Sequence, residues 1–230
     1  MTTAEKATGY RITLPAGWTR ITTGEGTEKS QAAFVEAQTR TLSGADKVLG
    51  SRTLAQRVAQ VVSEAEAAGA LDLYSYARTI RTIPVTMNFT IGIVYLGPDV
   101  ERYGDEALAA LAGIDTADVS FIESPTAGRM TRSIEHVEQT VGELRGDVTR
   151  VLGPEEAGND DAAFGHDVDT TLAEWEAAGV TRKQVRVSYL IPVPDAPGSF
   201  VLAAFDADDG ALAEASVFHF DAVVSTFAWV

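Results

Sequence analysis

The chain of 230 residues contains no cysteine. This absence excludes a disulfide framework, a thiolate zinc site, an iron–sulfur cluster and a cysteine nucleophile. Histidine is scarce as well, with three residues in the chain, and long apolar runs are missing. The most apolar stretch, residues 83–96, is interrupted by Pro84, Thr86, Asn88 and Thr90. It is therefore too short and too polar to cross a bilayer as a helix.

Basic residues are in the minority, with 18 Lys and Arg against 33 Asp and Glu and a formal net charge of −15. Such a chain repels the phosphates of nucleic acids and of anionic lipid surfaces. Residues 145–230 carry most of the excess, with 5 basic and 15 acidic side chains. We therefore expect no nucleic-acid partner and no membrane insertion. A basic protein surface is the electrostatically favoured partner.

The length and the hydrophobic content of 45% are typical of one large globular domain. The first nine residues lack the basic segment followed by an apolar stretch that marks a secretory signal. We therefore expect a cytoplasmic protein. The oligomeric state is left open by the sequence.

Alternation of apolar and polar residues predicts several β-strands. The pattern is strongest between residues 85 and 95, where apolar side chains occupy the odd positions. Shorter segments of strand character lie at 10–14, 71–80, 119–122, 128–137, 185–193 and 200–205.

Helical spacing of apolar residues predicts three main helices, besides two short ones at residues 105–113 and 169–178. One runs from Ser51, as N-cap, to Gly69, and a shorter one covers residues 30–42. We expect the glycines between residues 44 and 50 to separate these two helices. The third is amphipathic and covers residues 212–227.

Together these elements predict an α+β fold, with an antiparallel sheet of about six strands and helices packed on both faces as an α/β/α sandwich. We expect residues 1–230 to form a single domain. Residues 139–181 depart from the pattern, because residues 155–176 contain eight acids and no Lys or Arg. Their apolar residues are too few for an independent core. We interpret this region as an acidic elaboration at the sheet edge, inserted before the last hairpin.

Both ends of the chain resemble a known family. The segment Tyr10-Arg-Ile-Thr-Leu-Pro-Ala-Gly-Trp-Thr-Arg-Ile21 resembles the first hairpin of the PsbP-like fold, which includes the Mog-type Ran-binding proteins and bacterial relatives. The hairpin at 187–195, the strand at 200–205 and the final helix ending at Trp229 are similar to the end of that fold. The resemblance covers about half of the chain. It implies a bacterial member with an antiparallel sheet between helices, a non-catalytic accessory role and no catalytic residues to carry over.

Catalytic motifs are weak or absent. The loop at 23–30 lies between a strand and a helix, but Thr23 and Glu28 occupy the places where a phosphate-binding loop needs glycine. The sequence also lacks the Gly-x-Ser-x-Gly motif of serine hydrolases. We therefore expect a protein that is not an enzyme and that carries no cofactor.

The three histidines are far apart in sequence. His219 lies between two phenylalanines on the last helix, where a packed or half-exposed ring is expected, and His136 lies at a strand end. His166 lies beside two carboxylates, an arrangement that can ligate a divalent metal or act as a base. Its spacing matches no known site, and a solvated acidic loop explains it equally well. The weak candidate ligands are Asp160, Asp161, His166, Asp167 and Asp169.

Two functional hypotheses follow from these patterns. The first is a non-enzymatic binding or assembly module that acts through protein–protein contacts. Its candidate contact residues are Tyr74, Tyr76, Asp160, Asp161, Asp167 and Asp169. Alternate tyrosines on one strand face either form a contact platform or cover a neighbouring helix. The second is a small-ligand-binding protein or hydrolase with a pocket between the sheet and the C-terminal helix. The aromatic residues expected to line that pocket are Phe89, Tyr95, Tyr189 and Phe205.

Overall fold

The structure, a computed structural model, describes residues 9–40, 43–80, 83–98, 100, 118–140, 177–179, 181–208 and 212–230. These residues contain nine strands and three helices. In chain order they are β1 (Tyr10–Arg11), β2 (Trp18–Thr22), α1 (Thr27–Thr39), α2 (Gly44–Ala67), β3 (Ala70–Ile80), β4 (Ile83–Tyr95), β5 (Asp118–Ser124), β6 (Gly128–Thr140), β7 (Thr181–Pro192), β8 (Ser199–Asp208), α3 (Ala213–Val224) and β9 (Ala228–Trp229).

The main sheet has seven antiparallel strands in the order β2-β3-β4-β8-β7-β6-β5. This confirms the α+β class with a large antiparallel sheet. The sheet has one strand more than the expected six, because the short segment after the turn at Gly17 pairs with β3 as an edge strand. Strands β1 and β9 form a separate two-stranded sheet, in which Tyr10 lies opposite Trp229.

The larger core lies on the face of the sheet that α3 covers. Alternating residues of β4, β7 and β8 point to this face, and their side chains are almost fully buried. Phe205 is at its centre: its ring lies 4.4 Å from that of Phe89 and 4.6 Å from that of Phe220, measured between centroids. The pair β1 and β9 packs on the same core through Tyr10 and Trp229.

Helices α1 and α2 pack on the opposite face, over β2 and β3. Their contact residues form a smaller core with Ile21 and Leu73. Those buried residues are Phe34, Val35, Val58 and Val62. Helices therefore cover both faces of the sheet, as the sandwich arrangement requires.

Helix α2 is longer than the sequence pattern predicts. It begins at Gly44, with Ser43 as N-cap, and Gly50 lies inside it. The expected N-cap, Ser51, instead donates a hydrogen bond from its hydroxyl to Thr39 Oγ1 over 3.0 Å, which joins α2 to α1. A glycine inside a helix costs about 1 kcal/mol. The packing of α2 against α1 and β3 offsets that cost.

The region expected to be an acidic elaboration joins two neighbouring strands. Thr140, at the end of β6, lies directly opposite Thr181, at the start of β7. Residues 141–176 lie outside the described residues, so the elaboration remains a prediction. None of the helices in the described part of the chain is long and apolar enough to span a membrane.

Candidate functional site

The apolar row of β4 is covered at one end and exposed at the other. Met87, Phe89 and Ile91 are buried under α3 and the terminal strands. The same row continues with Ile93 and Tyr95, which are 53% and 66% exposed. Among the described residues, the cover over the core face therefore ends at Ile91, although the apolar row continues.

A third exposed apolar side chain lies on the neighbouring strand. Leu71 is 36% exposed and occupies the irregularity in β3, where the pairing with β4 shifts between Ala70 and Asp72. Because Ala70 lies opposite Gly92, Leu71 and Ile93 are at the same end of the sheet. We call Leu71, Ile93 and Tyr95 the apolar end patch.

The backbone beneath the patch is fixed. Ile93 and Tyr95 lie opposite Val201 and Ser199 in the ladder with β8. On the other face of the sheet, a third small core of Val100, Leu190 and Phe200 packs against the same strand ends. The backbone that carries Ile93 and Tyr95 is therefore held by the ladder with β8 and by this core on the opposite face, and the exposure of the two side chains is not fraying of a strand end.

A buried carboxylate lies beside the patch. Asp72 is 2% exposed, and Arg20 donates to its two oxygens from Nε and Nη2 over 2.7 and 2.8 Å. The hydroxyls of Tyr10 and Tyr74 also donate to Oδ2. Four donors thus satisfy this carboxylate, as a buried charge requires.

The ionisation of the two tyrosines reflects this environment. Burial, and next the hydrogen bond to Asp72, raises the pKa of Tyr10 far above its usual range. Burial raises the pKa of Tyr74 to about 12. Both phenols are therefore neutral donors near pH 7, and the cluster ties β1, β2 and β3 together. An open concavity of about 410 Å³ lies over it, lined by Gly9, Tyr10, Arg20, Thr22, Thr23, Glu25, Leu71 and Asp72.

A second polar network fixes α3 to the sheet. Tyr189 donates from its hydroxyl to Asp221 Oδ1 over 2.6 Å, and Arg132 donates to Oδ2 over 2.7 Å. Arg132 also donates from Nε to the Ser120 hydroxyl over 3.0 Å. Burial, and next the bond to Asp221, raises the pKa of Tyr189 above its usual range. These hydrogen bonds tie β5, β6 and β7 to α3.

The aromatic residues expected to line a pocket do not meet around a cavity. Phe89, Tyr189 and Phe205 are fully buried and contact one another ring to ring, while Tyr95 is exposed on the apolar end patch. These rings do not surround a cavity because they themselves fill the space between the strands and α3.

A depression does lie between the sheet and α3, at the beginning of the helix. It measures about 340 Å³. The apolar residues Ile134, Ala213 and Val217 line it, together with three titratable ones. The latter are Asp118, His136 and Glu214.

Of the residues predicted as contact sites, the structure describes the two tyrosines. Tyr74 is buried and stacks on Phe89 with 4.1 Å between centroids, so its ring is not available to a partner. Tyr76 is half-buried beside Trp18. The predicted acidic positions, Asp160, Asp161, His166, Asp167 and Asp169, lie outside the described residues. Within the part that is described, no group of three or more metal-ligating side chains is gathered.

Comparison of the chain with protein-family models, with curated proteins and with solved structures gave no match. The function of the chain is therefore inferred from the geometry and the side-chain chemistry of its described residues.

Two features were missed by the sequence patterns. The alternation in β4 predicts that Ile93 and Tyr95 pack like the rest of their row, and it carries no signal for where the cover ends. Asp72 does have a signal, because it is a carboxylate in the same alternating row as Tyr74 and Tyr76. A charged residue in such a row needs a partner, but the sequence does not identify Arg20 as that partner.

Proposed function

We propose that this protein is a non-enzymatic binding module that engages a basic protein partner through the apolar end patch. The observation that supports this most directly is the exposure of Ile93 and Tyr95 in a row that is otherwise core. A group of exposed apolar side chains on a rigid sheet is a candidate for a protein–protein contact. Tyrosine is enriched among the few residues that supply most of the binding energy of a contact when they are fully desolvated.

Two further features support the same proposal. The net charge of −15 speeds the encounter with a basic partner and disfavours acidic ones. The resemblance of the chain ends to the PsbP-like fold, whose members are non-catalytic accessories, points to the same class of function. The candidate aspartates between residues 160 and 169 remain predicted to face the basic surface of the partner.

The partner can be found by placing a benzophenone photocrosslinker at position 95 and, as a matched control, at position 48. Val48 is 72% exposed on α2, away from the patch. We expect a protein to be crosslinked from position 95 and not from position 48. Identical products from the two positions would contradict the proposal.

Affinity then tests the patch itself. We expect the double variant Ile93→Thr, Tyr95→Thr to bind the purified partner at least about tenfold more weakly, which corresponds to about 1.4 kcal/mol. Threonine keeps the β-propensity of the strand while it removes apolar surface. The control variant Val48→Ala, Leu49→Ala should keep the affinity of the parent chain. Binding should also weaken as salt is raised, and equal affinity of all three proteins would contradict the proposal.

A second candidate function is the binding of a small ligand in the depression beside α3. It is supported by a lining that combines apolar side chains with Asp118, His136 and Glu214. Such a lining suits an organic cation with an apolar body. In a thermal-shift screen, an amine at 100 times its Kd should raise the Tm by about 5–10 °C. The variant Asp118→Asn, Glu214→Gln should lose that rise, and a screen in which no metabolite class stabilises the chain would contradict this candidate.

A further inference from the structure

The indole of Trp18 and the imidazole of His219 form one unit across two elements. Trp18 is on the edge strand β2, and His219 is in the middle of α3. The indole Nε1 donates to His219 Nε2 over 3.2 Å, and the two rings are nearly parallel, 7° apart. This bond joins residues that are 201 positions apart in the chain.

The bond fixes the protonation state of the histidine. An indole N–H is a donor and never an acceptor, so Nε2 must be the unprotonated nitrogen and Nδ1 carries the hydrogen. Protonation of Nε2 would place two N–H donors against each other. The bond therefore exists only with the neutral imidazole.

Among the residues that the structure describes, the ring contacts of His219 are aromatic and provide no counter-charge. The ring contacts of His219 are Trp18, Tyr76 on β3 and Phe220 on its own helix. Arg78 is a charged residue on the same strand as Tyr76. The side chains of Arg78 and Tyr76 both pack against the turn at Gly17. Burial lowers the pKa of His219.

We propose that the Trp18–His219 pair is a pH-sensitive link, which joins α3 to the edge strand β2 near neutral pH and is released in mildly acidic solution. Release of this link lowers the stability of the fold. Because the unfolded chain binds a proton at His219 more readily than the folded chain, stability falls as the pH decreases through about 6.5, the ordinary value of histidine. The link is therefore fully present above that range.

Nuclear magnetic resonance of the intact chain, labelled with ¹⁵N, tests the link. The sequence has three tryptophans, and Trp18→Phe assigns the indole N–H signal of Trp18. We expect this signal to shift between pH 7.5 and 5.0 along a single titration curve with its midpoint below 6.5. In His219→Gln, which cannot titrate, the shift should be lost.

The matched control is His136→Gln, which removes an exposed histidine on β6. This variant should keep the full Trp18 titration. The decrease in Tm between pH 7 and pH 5.5 should likewise be smaller in His219→Gln than in either the parent chain or His136→Gln. A Trp18 signal that does not move with pH, or that still moves in His219→Gln, would overturn the proposal.

Discussion

Asp72→Asn is expected to lower the free energy of unfolding by about 2–3 kcal/mol. The carboxylate accepts from Arg20, Tyr10 and Tyr74 while it is almost wholly buried. Hydrogen bonds to a buried charge are worth about 1.5–3 kcal/mol, and an amide turns part of the acceptor surface into a donor. Arg20 is 56% exposed and regains water, which keeps the cost below that of a wholly buried pair.

Asp206→Asn is the matched control for this substitution. Asp206 also accepts from an arginine Nε, that of Arg186 over 2.9 Å, but its side chain is 37% exposed. An exposed pair of this kind contributes about 0.2–1 kcal/mol. Chemical denaturation of both variants measures the difference. Equal losses would mean that burial does not set the strength of the Asp72 cluster.

Phe205→Ala is expected to have the largest effect, a loss of about 3–5 kcal/mol. The ring is fully buried and contacts Phe89, Tyr189 and Phe220. Truncation leaves a cavity between β8 and α3, because the neighbouring rings are held by the sheet and relax little. A loss of this size lowers the Tm of a chain of this length by about 6–20 °C.

Phe218→Ala controls for the residue type. Phe218 is 76% exposed on α3, so its truncation should change the free energy by less than about 0.5 kcal/mol. If Phe205→Ala fails to fold, Phe205→Leu keeps most of the volume and should cost less than about 1.5 kcal/mol. A small loss in Phe205→Ala would show that the seam between sheet and α3 is not close-packed.

The strands were the part of the fold that the sequence predicted best. Apolar residues at alternate positions of β4, β7 and β8 reach the core face, where Phe89, Val187 and Phe205 are fully buried. The start of α2 was predicted eight residues too late, because Gly44 and Gly50 were expected to separate two helices and instead both lie inside α2. The role of Ser51 could not be read from local pattern either, since its partner, Thr39, is on another helix.

The candidate site was less accessible to sequence reasoning than the fold. Alternation does predict that the odd positions of β4 share a face. It does not predict that the cover over this face stops at Ile91, because the cover is built from α3 and from the two ends of the chain. The bond between Trp18 and His219 likewise depends on the packing of a helix against a distant edge strand.

The sequence by itself determined the class of fold, the absence of cysteine chemistry and the acidic charge, because these follow from composition and from local periodicity. Only the tertiary structure decided which apolar residues are core and which are surface, and which carboxylate is buried among donors. The physical reason is that burial is a property of the whole chain. Ile91 and Ile93 are the same residue type in the same row of one strand, and the neighbours that long-range folding brings over one of them make it core.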